Sequence, residues 1–146
     1  MRLTTKGRYG LRLMIELALQ EGQGPVLVEL LERRSGVSGK YIHQLMLTLK
    51  NAGLVRTVRG PRGGYELAKP AATITAYEVV SVLEGPPVPV ECVSDPAACE
   101  RAGTCVTRDL WREVAAAVEG VLQTATLAEL AQRARAQEPD SLTFFI

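Results

Sequence analysis

The chain has one histidine and one tryptophan, and only 5% of its 146 residues are aromatic. Charges interrupt every apolar run, so nothing approaches the ~20 consecutive apolar residues of a membrane span. The opening MRLTTKGRYG carries neither the apolar core nor the small-residue cleavage site of a secretory leader. The expectation is a soluble cytoplasmic protein with no membrane partner. Phosphate-cradling patterns are missing too. No Gly-Lys-Ser/Thr loop opens a helix, and G-x-G-x-x-G does not occur. No C-x-x-C pair is present, and the lone histidine, His43, is distant in sequence from all three cysteines, which argues against a zinc site. There is no acid–base constellation, so a redox or metal-binding enzyme is the weakest reading. Internal repeats and low-complexity tracts are absent.

What is there is a charge asymmetry hidden by a net +1. Residues 1–69 hold 12 Lys/Arg against 5 Asp/Glu, and residues 70–146 hold 5 against 11. A basic front half and an acidic back half imply that only the front meets a polyanion. Hydrophobic residues make up 47%, enough for one packed domain, alone or with an oligomerisation arm.

Residues 5–20 read as a helix capped by Thr5, with Tyr9, Leu13, Met14, Leu17 and Ala18 on one face. EGQGP (21–25) ends it. A short second helix covers Val28 to Arg34, and SGVS (35–38) is a tight turn around Gly36. Ser38 then caps a third helix running to about Ala52. Two short helices joined by a glycine-containing turn make a helix-turn-helix. Ile42, Leu45, Met46 and Leu49 form the packing face of the third helix. Lys40, Gln44, Leu47, Thr48 and Asn51 lie opposite, flanked by Tyr41 and His43, as suits a recognition helix.

Leu54 to Arg59 alternates as a strand does, GPRGG turns, and Tyr65 to Leu67 starts the return strand. A hairpin directly after a helix-turn-helix is a wing. Its arginines, Arg59 and Arg62, suit insertion into a narrow minor groove and contact with phosphates. Thr75 to Glu78 is a capping box opening a short helix that stops at Gly85. PPVPVE (86–91) is a stiff linker. Residues 107–123 form a longer helix whose apolar face, Leu110, Trp111, Val114, Ala115, Val118, Val121 and Leu122, exceeds what one small winged domain needs. This helix is assigned to dimerisation, because operator-binding proteins commonly work as two-fold dimers. TLAE (126–129) caps a short final helix, and the apolar ending SLTFFI is expected to pack somewhere.

The expected fold is mostly α with a small β-hairpin wing: a winged helix-turn-helix domain plus a long dimerisation helix. Its expected divisions are residues 1–85 for DNA binding, 86–106 for linker and cysteine loop, and 107–146 for the dimerisation helix and tail. The candidate DNA-contacting set is Lys6, Arg8, Ser38, Lys40, Tyr41, His43, Gln44, Arg59, Gly60 and Arg62.

All three cysteines, Cys92, Cys99 and Cys105, fall in ECVSDPAACERAGTC, spaced by six and then five residues. In a reducing cytosol such clustering argues for metal or redox work rather than a disulfide framework. Three soft ligands with an open fourth position suit an iron–sulfur cluster. The alternative is three unliganded thiols.

RLTTKGRYGLRLM, LKNAGLVRTVRGPRGGYEL, EVVSVLEGP and LWREV, in that order, resemble the IscR/CymR-type family of winged-helix transcriptional regulators over residues 1–130. The resemblance implies a homodimeric repressor binding double-stranded DNA at a palindromic operator. It places Tyr41, His43 and Gln44 among the recognition-helix contacts and Arg59 in the minor groove. It makes Cys92, Cys99 and Cys105 the ligands of an iron–sulfur cluster, 2Fe–2S in preference to 4Fe–4S. The genes implied serve iron–sulfur cluster assembly or cysteine metabolism. A cluster-free branch works instead through a partner enzyme of the cysteine-synthase type, and the LTFFI ending resembles that branch. Two positions depart from the family's pattern. His43 stands where members often carry Glu at a position that chooses between operator classes. Arg108 stands where cluster-binding members can use a histidine, which leaves Asp109, Glu91, Glu100, a residue of the partner subunit or a small thiol as fourth ligand, or no fourth ligand at all.

Overall fold

Helix α1 spans Thr5–Leu19, and its cap is Thr4 rather than the expected Thr5: the Thr4 hydroxyl accepts from the Lys6 amide at 3.2 Å. The shift has a cause 80 residues away. The Glu84 carboxylate accepts from the Thr4 amide (2.7 Å), the Thr4 hydroxyl (2.6 Å) and the Gly7 amide (2.9 Å), so it closes the helix start from outside. Helix α2 (Val28–Ser35) ends at Gly36, whose φ of 73° is the left-handed geometry that favours glycine at a helix C-terminus. Helix α3 (Gly39–Asn51) starts at Ser38, whose hydroxyl accepts from the Tyr41 amide. The structure, a computed structural model, describes residues 1–138. The apolar ending at 141–146, expected to pack somewhere, lies outside them.

Strands β1 (Val55–Val58) and β2 (Gly64–Leu67) pair antiparallel, Val55 opposite Leu67 and Val58 opposite Gly64. Val26 pairs with the other edge of β2 as an isolated bridge, exchanging both backbone hydrogen bonds with Tyr65. This anchors the wing to the segment before α2. A side chain at Gly64 would strike the Val26 carbonyl, so only glycine allows that approach.

Helix α4 (Ala76–Glu84) starts at the expected box, with the Thr75 hydroxyl accepting from the Glu78 amide. Then come α5 (Glu91–Ser94), a single 3-10 turn at Pro96–Ala98, α6 (Val106–Thr124) and α7 (Leu127–Gln137). The core is one cluster. Leu13, Met14 and Leu17 of α1 pack with Leu31 of α2, Ile42, Met46 and Leu49 of α3, and Ile74 and Val79 at the start of α4.

Leu127 and Ala131 of α7 belong to the same cluster, both about fully buried. The expected division, which grouped 107–146 as dimerisation helix and tail, therefore cuts through this core. The physical reason is a short backbone bridge. Ala76 N–H donates to the Ala125 carbonyl at 2.8 Å, and Leu127 N–H donates to the Ile74 carbonyl at 2.9 Å. The two capping threonines, Thr75 and Thr126, sit side by side, and α7 is turned back onto α1. Helix α6 has no buried residue. Its inner edge rests on α4, and Val118 and Leu122 line an apolar groove of about 380 Å³ with Met1, Leu3 and Val80. Val121, at the rim of the same groove, is 70% exposed, and Leu110, nearer the start of the helix, is 51% exposed.

Candidate nucleic-acid interface

The packing face of α3 buries Ile42, Leu45, Met46 and Leu49, which fixes what the other face must present. Lys40, His43, Gln44, Thr48 and Asn51 are exposed there, and so is Leu47, at 60%. Leu47 is an unpartnered apolar side chain in the middle of a polar face. Such a group can meet a thymine methyl in a major groove.

Tyr41 sits differently. It is half-buried, its hydroxyl lies 3.0 Å from the Thr5 hydroxyl, and its ring meets Tyr9 edge to face with centroids 6.3 Å apart. Tyr41 therefore ties α3 to the first turn of α1. This brings Lys6 beside Gln44 and Thr48, where they share a shallow recess. The Arg8 and Arg12 guanidinium groups lie 5.9 and 5.6 Å from the Tyr9 ring centroid, within cation–π range.

On the other side of α3 stands the wing. Arg59, Gly60 and Arg62 are exposed at its tip, and the Gly63 amide closes the turn onto the Gly60 carbonyl at 2.9 Å. An open cleft of about 890 Å³ separates the wing from α2 and the start of α3, and Lys40, His43, Arg59 and Tyr65 line it. Glu29 and Glu32 line the same cleft. They add local negative charge at the back of an otherwise basic surface.

The distribution of ion pairs sharpens the picture. Arg34, Arg56, Lys69, Arg112 and Arg133 are each within reach of a carboxylate. Among the described residues, Lys6, Arg8, Lys40, Arg59 and Arg62 have no such partner, and neither do Arg2, Arg12, Arg33, Lys50, Arg101, Arg108 and Arg135. The cations on the face shared by α3, the wing tip and the first turn of α1 are thus available to an external anion. Sequence reasoning missed one link: the His43 Nδ1 and the Tyr65 hydroxyl are 2.6 Å apart, joining α3 to β2. The residues are 22 apart in sequence, and neither carries a local signal for the other.

Residues 3–133 match the model of the Rrf2 family, described as iron-dependent transcriptional regulators. The chain belongs to the Rrf2 family. It is similar to the HTH-type transcriptional regulator CymR of Bacillus subtilis (strain 168), 42% identical over 131 residues covering 90% of each chain. It is also similar to IscR of Klebsiella pneumoniae (strain 342), 39% identical over 130 residues covering 89% of this chain and 79% of that one. Among solved structures, that of T. potens IscR superposes with a TM-score of 0.78 at 34% identity, covering 99% of this chain and 97% of that one. These Rrf2-family relatives are transcriptional regulators, not enzymes, and the winged-helix fold is theirs as well. Among the described residues no helix is long and apolar enough to cross a membrane.

The cysteine loop of this Rrf2 protein joins α4 to α6. Cys92 is half-buried on α5, Cys99 is exposed after the 3-10 turn, and Cys105 is the residue at which α6 starts. The Cys105 sulfur lies 3.1 Å from the Thr107 hydroxyl. That hydrogen bond, followed by the Arg108 backbone amide, holds the Cys105 thiol below its usual pKa. Arg108 fills the inside of the loop. Its Nε donates to the Cys92 carbonyl at 3.0 Å and its guanidinium reaches the Ala102 carbonyl at 3.4 Å. By donor type, three thiols suit an iron–sulfur cluster. By placement they are not gathered: among the described residues no three His, Cys, Asp or Glu side chains are grouped to hold a metal. Of the carboxylates considered as a fourth ligand, Asp109 lies 3.9 Å from Arg112.

Proposed function

We propose that this chain is a cytoplasmic homodimeric repressor that grips a palindromic operator with two α3 helices and two wings. The observation that carries this is the single surface holding α3, the wing tip and the first turn of α1, whose Lys6, Arg8, Lys40, Arg59 and Arg62 lack internal ion-pair partners among the described residues. Arg59 enters the minor groove. Ser38, Lys40, His43 and Gln44 meet the major groove, and Gly60 and Arg62 meet the backbone. Helix α6 is the dimer contact, because its exposed Leu110, Val114 and Val121 have nothing to cover them within the described part of one chain. Two-fold pairing through a helix of this kind sets two recognition helices about one turn of DNA apart, ~34 Å, which demands a palindromic site.

The sensor in this reading is the loop. Cys92, Cys99 and Cys105 are the thiolates that would hold an iron–sulfur cluster. When bound, such a cluster supplies a redox-sensitive, iron-dependent link between the loop's ends. The chain's own part is to bring Cys92 and Cys99 toward the start of α6, which requires Arg108 to give up its grip on the Cys92 and Ala102 carbonyls. The regulated genes are those of cluster assembly or cysteine metabolism.

Arg108 favours a second reading. A cation already bound inside the loop stabilises it without metal, as befits a cluster-free repressor controlled by a cysteine-synthase-type partner. Anaerobic purification with visible absorption and iron and sulfide analysis decides between the two. Brown protein with stoichiometric iron and sulfide supports the first. Colourless protein that resists reconstitution but binds DNA supports the second, and protein that binds no duplex DNA overturns both.

A further inference from the structure

His43 is exposed on α3, faces the cleft beside the wing, and has its Nδ1 2.6 Å from the Tyr65 hydroxyl. Tyr65 is itself nearly buried, at 8% exposure, and its backbone is held by Val26. Its ring lies edge-on to the imidazole with centroids 5.9 Å apart. The phenol is therefore fixed, and it fixes the imidazole. The contact can be filled by the phenol proton or by an Nδ1 proton, and the surroundings of Tyr65 favour the phenol as donor to Nδ1. Among the described residues the Tyr65 hydroxyl has no other acceptor, and burial pushes its pKa up, so it keeps the proton it must donate. A neutral imidazole accepting at Nδ1 carries its own proton on Nε2. Nε2 has no protein partner among the described residues. Lys40 and Arg59, with Glu29 and Glu32 behind them, are the charged groups that share the cleft.

We infer that Tyr65 is a positioning residue that locks His43 as an Nε2–H donor, and that His43 thereby selects guanine over cytosine at one position of each half-site. Guanine shows two acceptors, N7 and O6, in the major groove, and cytosine shows a donor, N4–H₂. A donor-only reader is satisfied by the first and repelled by the second. An imidazole free to exchange tautomers would discriminate less. The inference rests on the DNA-binding reading above and adds a specificity to it.

The chain's single histidine makes the test direct, since the imidazole nitrogen spectrum of tag-free, ¹⁵N-labelled protein contains only His43. The wild type should show one tautomer, protonated at Nε2, with the Nδ1 resonance displaced by an accepted hydrogen bond. Tyr65→Phe should remove that displacement and let the tautomers mix. Protonation at Nδ1 in the wild type, or a spectrum unchanged in Tyr65→Phe, overturns the inference without touching the DNA-binding reading. In parallel, wild-type dimer selects sites from a randomised duplex library. Failure to enrich any sequence sinks the DNA-binding reading and this inference with it. With a site in hand, Tyr65→Phe should lower the guanine-over-cytosine preference at one position per half-site by roughly fivefold, the value of one hydrogen bond. His43→Ala should abolish that preference, and adding Tyr65→Phe to it should change nothing more. Additive losses in the double variant would mean that Tyr65 acts other than through His43.

Discussion

Consider binding of the proposed dimer to its operator as salt is raised, with Arg62→Ala as the perturbation. Lys6, Arg8, Lys40, Arg59 and Arg62 are the five unpaired cations assigned above to the DNA-facing surface, which makes ten in the proposed dimer. If each neutralises one phosphate, the slope of log K against log salt is about −9, at ~0.9 per phosphate. Raising salt from about 50 to about 200 mM then weakens binding by about five orders of magnitude. Arg62→Ala removes two contacts per dimer, so the slope falls by about 1.8 and the loss over the same interval shrinks about 12-fold. Fluorescence anisotropy of a labelled duplex across a salt series measures both lines. They should converge as salt rises, and the selectivity between operator and scrambled duplex should hold, since a phosphate contact carries no sequence information. An unchanged slope would remove Arg62 from the backbone contacts. A slope near zero in the wild type would refute the whole electrostatic argument, because unpaired surface cations would then be facing nothing but water.

Leu127→Ala and Leu110→Ala should behave oppositely. The first opens a hole in the core and should cost about 2–5 kcal/mol of folding stability in denaturant melts. The second truncates a half-exposed side chain, so it should leave secondary structure intact and shift sedimentation toward monomer. Glu84 should contribute an acid-side dependence of stability. Its folded pKa is lowered, first by the Thr4 hydroxyl, so its stabilisation is present above the unfolded value of about 4.3 and is lost as pH falls through the lower folded value. Glu84→Gln should flatten that limb of a Tm-against-pH plot, and an unchanged limb would deny Glu84 a role in closing α1. At neutral pH in reduced, metal-free protein, peptide mapping should find alkylation faster at Cys105 than Thr107→Val allows, because the Thr107 hydroxyl is the first cause of its lowered pKa. Equal rates with and without the hydroxyl would remove that cause.

Local chemistry was legible in the chain, and long-range closure was not. The buried face of α3 could be read from a period of 3.6 over Ile42, Leu45, Met46 and Leu49, and the wing from alternation on both sides of a glycine-rich turn. The boxes at Thr75 and Thr126 gave two helix starts. Nothing local said that those two threonines would meet, since the bridge between them links residues 74–76 to 125–127. Without that bridge α7 reads as an extension of the α6 arm; with it, Leu127 fills the core under α1. The cap of α1 slipped by one residue for the same kind of reason. Thr4 and Thr5 are equivalent caps by sequence, and the choice was made by Glu84 from the far end of α4.

These closures also constrain how a signal in the loop can reach DNA. The loop's end is the start of α6, and the end of α6 is pinned to the start of α4 by the Ala76–Ala125 hydrogen bond. Helix α4 presents Glu84 to the first turn of α1, and that same turn holds Tyr41 of α3 through Thr5. The DNA-reading body is therefore one packed unit, with little freedom to reshape α3 alone. In the proposed dimer, a change in the loop would act more easily by tilting α6, whose residues are nowhere buried, and so by moving one whole body relative to its two-fold mate. Half-site spacing, not the contacts within a half-site, is what such a motion alters. Whatever occupies the loop can shift operator affinity only by its own preference for one spacing over the other. An isolated half-site should accordingly bind equally well whatever the state of the cysteines, while the full palindrome should not.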